Sequence, residues 1–359
     1  MFMRTGLRAP PFVDSSILGC SRFGSILIKN LLDFVRPSMR MVAGLIGKAS
    51  VSALAVSLAV SRADFSGVRE SLAVAPAPGL ALAFAAFLLI MALGGLRWWL
   101  ALRGIGERAR LGHAMALFSA AAMAGQVMPL VASDGVRIWL AARDGCSMRS
   151  AIHSVLLERV FMVLALLALA LVTAPLFAAR TGYGAPIWLS AGLLTGGIAI
   201  FAVLLFADRA PRGIAQMRPW GCLSGAAAPA RRLVLSQWGA YLAVVSVLSN
   251  LAIAFAAFLL GRALDLQLTA WDLLAIMPTV TLAAALPVSL GGWGVREGLL
   301  VLLLGRMGVP AADALALSLL FGVASLLSGL PGLLATVFRS LWSGWAVPVE
   351  SRGHAGSGQ

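Results

Sequence analysis

Apolar runs about as long as a membrane is thick alternate with short polar stretches along most of this 359-residue chain. The runs fall at 41–60, 79–100, 150–178, 186–206, 236–260 and 312–338. Each approaches or exceeds the ~20 residues an α-helix needs to cross roughly 30 Å of hydrocarbon. They are rich in Leu and Ala and show little period-two alternation, so they predict helices rather than barrel strands. Two further apolar stretches, 112–130 and 271–286, behave differently. They run into Pro and Gly instead of a polar loop, as "QVMPLVASDG" at 126–135 and "LPVSLGGWGVREG" at 286–298.

The basic residues constrain how these segments cross. The segment before Met41 is basic, as are 97–110 (Arg97, Arg103, Arg108, Arg110) and 209–232 (Arg209, Arg212, Arg218, Arg231, Arg232). The stretches 61–78, 179–185 and 261–271 carry only two, one and one basic residues. Positive residues collect on the cytoplasmic side, so an even number of crossings must separate Arg110 from Arg209. The runs at 150–178 and 186–206 already supply two. The segment 112–149 is therefore expected to enter and leave on one side as a re-entrant hairpin with its break near Pro129 and Gly135. By the same logic 271–309 is a second re-entrant hairpin from the opposite face, broken at Pro287, Gly291, Gly292 and Gly294. The expected organisation is a basic cytoplasmic segment at 1–40, one transmembrane domain at 41–340, and a tail at 341–359. Both termini are expected in the cytoplasm, with no cleaved signal peptide.

Composition agrees with a membrane setting. Hydrophobic residues make up 60% of the chain and charged residues 12%, against roughly 45–50% and about 25% in soluble domains; mean hydropathy is +0.93. The net charge of +14 raises the possibility of nucleic-acid binding. Its arginines, however, sit in short loops between apolar runs, where they orient helices and meet anionic headgroups. Three cysteines and three histidines are scattered without metal or redox spacing, so neither a metal site nor a cofactor is expected. The Arg- and Ala-rich composition points to a bacterial cytoplasmic membrane.

The two breaks resemble each other. "MPLVASDGVRIWLAARDG" (128–145) and "LPVSLGGWGVREGLLVLLLGRMG" (286–308) share Pro, small residues, Gly-Val-Arg and a helix ending at Gly. The following segments, 150–160 and 313–323, align with Ala151 against Ala314 and Leu156–Leu157 against Leu319–Leu320. Such interrupted segments in matching halves are the sequence mark of an inverted-topology repeat with a midplane site. The expected fold is an all-α polytopic bundle with two broken hairpins in such a repeat.

Charges at membrane depth cost at least about 2.5–3.5 kcal/mol each on insertion scales, so they call for partners. Asp134 and Arg137 are spaced one helical turn apart, with Asp134 also placed to cap a helix start. Glu158 and Arg159 are helix neighbours pointing different ways, so each requires a partner on another segment. Glu297 follows three glycines at a helix start, again a capping position. In the functional reading Arg137, Arg159 and Arg296 converge with two helix N-termini into a pocket for a lipid phosphate. Asp134, Glu158 and Glu297 then hold the arginines. In the structural reading the same residues are ion pairs pinning two hairpins, with no ligand. Gln126 either meets a polar headgroup or satisfies backbone freed at Pro129. Trp98 and Trp99 are expected to anchor the chain at the membrane interface.

These blocks, together with "SAIHSVLLERVFMVLALL" and "LGGLRWWLAL", resemble the lysylphosphatidylglycerol-synthase-type transmembrane (flippase-like) family over about residues 41–340. The resemblance implies movement of a modified phospholipid between leaflets, with Asp134, Arg137, Glu158, Arg159, Arg296 and Glu297 at the family's polar positions. Gln126 and Ser133–Asp134 depart from the residues common there. Only about 20 residues follow Arg339, so no aminoacyl-transferase activity is expected in this polypeptide. Three classes are weighed: a translocase of an anionic or modified lipid (phospholipid, polyprenyl-phosphate or hopanoid-type), an accessory subunit partnering a lipid-modifying enzyme, and a membrane glycosyl- or phosphotransferase. The last would need clustered carboxylates that the sequence does not offer.

Overall fold

The computed structural model describes residues 76–342, apart from 128–129, 185, 210–217 and 286–290, together with Val68. The first expected span at 41–60, and the breaks at Pro129 and Pro287, lie outside the described residues.

The described residues are helical, without strands. In chain order the helices are α1 (Ala77–Ile105), α2 (Leu111–Val127), α3 (Leu130–Arg143), α4 (Met148–Thr181), α5 (Pro186–Leu205) and α6 (Arg218–Val234). They continue with α7 (Gln237–Ala263), α8 (Ala270–Ala284), α9 (Val295–Arg306), α10 (Ala311–Ser328) and α11 (Leu330–Trp342). Among the described residues, five helical stretches are long and apolar enough to cross a membrane: Ala77–Ile105, Met148–Thr181, Trp188–Leu205, Gln237–Ala263 and Ala311–Phe338. They coincide with five of the six runs expected from sequence. The protein is a multi-pass, all-α membrane protein.

Local chemistry sets the ends. Ser147 caps α4 by accepting the Ser150 N–H at 3.0 Å, and Gly182 closes the helix with φ of 77°. Thr269 and Asp272 form a reciprocal capping box at the start of α8. The basic stretch 209–232 is not all loop. From Arg218 it folds as α6, which turns Ala226, Ala227, Ala230 and Leu233 inward.

The helix pairs α2–α3 and α8–α9 occupy the two segments in which hairpins are expected. Their helices have 17, 14, 15 and 12 residues. At about 1.5 Å per residue each is only ~18–25 Å long, short of the hydrocarbon thickness. At the base of the first hairpin, His113 near the start of α2 pairs with Asp144 just past α3, Nε2 to Oδ2 at 2.6 Å. This base adjoins the N-terminal end of α4. The second hairpin is anchored at the other end of α4: Arg180 pairs with Asp272 at 2.9 Å, and Arg306 stacks 5.1 Å from the Tyr183 ring. The 34 residues of α4 separate the two bases by about 50 Å. The tips nevertheless meet, since a Cβ on Gly291 would stand 2.5 Å from the Gln126 carbonyl oxygen.

Glycine makes close approach possible around α2. Gly94 and Gly95 of α1 face Phe118 and Met115, and a Cβ on Gly95 would come within 2.7 Å of the Met115 Cα. On the opposite flank Gly329 and Gly332 lie against Met123 and Ser119. Small residues of this kind let membrane helices pack backbone to backbone. Gly135, expected at a break, lies inside α3. A single glycine costs a helix only about 1 kcal/mol against Ala, too little to interrupt it.

Candidate functional site

The membrane-depth charges form two clusters. In the first, the buried Glu158 on α4 accepts from Arg97 Nε at 2.5 Å and from Arg137 Nη2 at 2.9 Å. Asp134 on α3 accepts from Arg137 at 3.0 Å and takes two bonds from Arg159, at 2.8 and 3.0 Å. Glu158 and Arg159 thus find partners on other helices, as their spacing requires. Asp134 and Arg137 pair one turn apart, also as expected. Asp134 does not cap a helix start, because α3 already begins at Leu130. Arg137 is almost fully buried, its guanidinium 5.2 Å from the Trp98 ring and 5.3 Å from the Phe118 ring. Cation–π contact of this kind partly offsets the loss of water.

Sequence reasoning missed Arg97 and misplaced Trp98. Arg97 sits in a run of basic residues and reads as part of a loop. In the structure it lies two turns inside α1 and is buried against Glu158. Trp98 is no interfacial anchor: it is 1% exposed and donates to Ser154 Oγ at 3.0 Å. Its neighbour Trp99 points elsewhere, donating to the Ala109 carbonyl beyond the helix end. An arginine eight residues before a helix terminus is the one available signal that a buried partner is required.

The second cluster is built on α9 and α10. Glu297 accepts the Gly294 N–H at the start of α9, the capping role expected of it. Its other oxygen accepts from Arg296 Nη2 at 2.5 Å and from Ser318 Oγ at 3.2 Å. The Arg296 guanidinium lies 4.7 Å from the Trp293 ring and 5.5 Å from the Phe321 ring. Gly294, with φ of 91°, makes the turn possible. In the alignment of Ala151 with Ala314, Phe321 takes the place of Glu158. With an aromatic ring there, Arg296 draws its carboxylate from Glu297 on its own helix.

The three arginines are therefore divided between two clusters: Arg137 and Arg159 with Asp134 and Glu158, and Arg296 with Glu297. Between the hairpin tips lies a cavity of about 150 Å³. Phe87, Ile90, Ile253, Met277 and Val280 give it apolar walls; Gln126, Thr281, Ser325 and Arg296 give it polar ones. Gln126 donates through Nε2 to Ser325 Oγ at 2.8 Å, while its Oε1 is buried without a hydrogen-bond partner. A volume of this size holds a headgroup or a few waters, but not a whole lipid.

No curated protein matches the chain. A family model described as the lysylphosphatidylglycerol synthase TM region matches residues 45–332. The chain belongs to that family of membrane proteins.

Proposed function

We propose that the protein is a lipid translocase of the bacterial cytoplasmic membrane, moving a phosphate-bearing lipid between leaflets without bond chemistry. One observation carries this reading: two short helical hairpins, based at opposite ends of α4, meet tip to tip around a cavity that holds a guanidinium and an amide. Interrupted helices whose irregular backbone lines a cavity are the usual architecture of midplane transport sites. The hairpins are re-entrant from opposite faces, with both chain termini in the cytoplasm. Arg296 and Gln126 contact the headgroup, while the apolar walls accommodate the adjoining hydrocarbon. The Arg97–Glu158–Arg137–Asp134–Arg159 network fastens the first hairpin to α1 and α4. A lipid-modifying enzyme is the partner such a protein serves.

The test is leaflet exchange of fluorescent phospholipids of several headgroup classes in proteoliposomes. Exchange well above that of protein-free vesicles is expected; none in any class removes the proposal. Cysteines placed at positions 110 and 143 should label from the same side of the vesicle. Labelling from opposite sides would refute the re-entrant hairpin.

A further inference from the structure

We infer that the corner where α1, α6 and α7 meet holds one anionic phospholipid as a resident ligand, distinct from any lipid in transit. Its centre is Arg103, in the last turn of α1. The Arg103 guanidinium carbon stands 5.6 Å from the Trp99 ring centroid and 5.7 Å from that of Trp238. Those two rings lie at right angles, with centroids 5.8 Å apart. The cation thus fills a corner between two indoles, which holds it in place without using its N–H groups. None of these N–H groups has a hydrogen-bond or ion-pair partner among the described residues. Arg232 on α6 lies over the same helix end, donating through Nη1 to the Ile105 carbonyl at 3.3 Å. Its other N–H groups are likewise unpaired among the described residues.

These two cations have no internal counter-ion. Residues 77–106 and 209–264 contain neither Asp nor Glu, so α1, α6 and α7 bring no carboxylate to the corner. Asp208 is held by both Nη groups of Arg231, and Glu107 lines a separate cavity with Cys146. Two guanidiniums at a membrane surface without an anion of their own take one from outside, and phosphate oxygens match their fork. Below them Tyr241, Val244 and Leu248 are 51%, 58% and 46% exposed and follow one another down α7 at helical spacing. This strip leads from the aromatic corner into the hydrocarbon, where acyl chains lie. The seat for a cation between the indoles is already taken by Arg103, so a choline or ethanolamine ammonium finds neither ring nor carboxylate. A headgroup of net negative charge is favoured instead. The basic stretches 97–110 and 209–232 flank the corner, which puts it in the cytoplasmic leaflet, where anionic lipids supply such headgroups. Ile90, at the cavity between the hairpin tips, is about 20 Å from Arg103 along α1. The resident lipid therefore binds apart from that cavity and ties α6 to the end of α1, whether or not the protein moves lipid.

The experiment uses the full chain in detergent and compares Arg103→Gln/Arg232→Gln with Arg108→Gln/Arg110→Gln, which removes the same charge from the adjoining loop. Short-chain phosphatidylglycerol, titrated to saturation, should raise the Tm of wild type by about 5 °C more than short-chain phosphatidylcholine does. The loop pair should keep that advantage, and the corner pair should lose it. Arg232→Gln alone, at an exposed position, leaves the aromatic corner intact and should lose about half of it. Inorganic phosphate at the same concentration should leave Tm unchanged; a shift as large as that of phosphatidylglycerol would assign the corner to free phosphate and refute the lipid. Native mass spectrometry of protein taken from bilayers with equal amounts of both lipids should show wild type retaining one more phosphatidylglycerol than the corner pair. Equal Tm shifts for the two lipids, or loss of the advantage in the loop pair, would overturn the assignment. So would the absence of any retained lipid, which would leave the corner to an acidic segment of a partner protein.

Discussion

Replacing Glu158 by Gln tests whether the first cluster is a single coupled unit. Glu158 is fully buried and shared by Arg97 and Arg137. The cluster holds three guanidiniums and two carboxylates, a net charge of +1; the substitution raises it to +2 while leaving the shape nearly unchanged. Removing one partner of a buried pair generally costs about 3–5 kcal/mol, because the remaining charge is stranded. Glutamine still offers one acceptor oxygen, which places the loss at the lower end, about 3 kcal/mol. Removing Arg97 as well restores +1, since Arg137 keeps Asp134. The double variant Arg97→Gln/Glu158→Gln should therefore be less destabilised than the sum of its parts by at least about 1 kcal/mol. Equilibrium unfolding in mixed micelles, followed by tryptophan fluorescence, measures all four proteins. Stability of Glu158→Gln within ~0.5 kcal/mol of wild type, or strict additivity in the cycle, would refute the coupling.

Other outcomes follow from single features. Gly291→Ala places a Cβ against the Gln126 carbonyl at a φ of 56°; strain of about 1–2 kcal/mol for the left-handed backbone plus the clash should lower Tm and slow exchange of every lipid alike. Outside the membrane, the exposed Asp208 carboxyl is held below its usual range by hydrogen bonds from Arg231. A depressed folded pKa means its contribution is complete above the ordinary carboxylate value near ~3.9 and is lost as pH falls through the lower folded value. Asp208→Asn should accordingly lower stability by a constant amount across pH 5–8 and flatten the acid limb below it, where the wild type loses the same contribution; a curve that keeps its acid slope would contradict this. Burial, reinforced by Glu107, pushes the Cys146 thiol up to about 11. In a background lacking Cys20 and Cys222, maleimide should react at pH 8 through only about a thousandth of the thiol, with the rate rising about tenfold per pH unit. A rate already at its plateau at pH 8 would contradict this.

Much of the architecture is legible in the sequence because lipid narrows the choices. Apolar length gives the spans, and Pro and Gly inside an apolar run mark the two segments that hold short helix pairs. Adjacent opposite charges such as Glu158 and Arg159 announce partners on other helices. What stays hidden is which partner and which face. Arg97 and Trp98 sit beside loop-forming arginines, and nothing in their spacing shows that α1 carries both inward. Asp134 reads as a helix opener because Ser, Asp and Gly stand together, yet Leu130–Ala132 start the helix a turn earlier. The convergence of three arginines is the natural guess from three positions of one chemistry within or beside apolar runs. Pairing geometry divides them instead, because Glu297 lies next to Arg296 and is available at no separation cost.

Pro175 lies inside α4, between the residues that hold the first hairpin and those that anchor the second. Proline removes one backbone donor and crowds the preceding turn, so bending of a long helix concentrates there. Glu158 and Arg159 stand on one side of that weak point, Arg180 and Tyr183 on the other. A tilt of a few degrees at this residue swings the far hairpin as a rigid lever and leaves the near one at rest. The distance between the two hairpin ends is thereby most sensitive to the angle at that one residue.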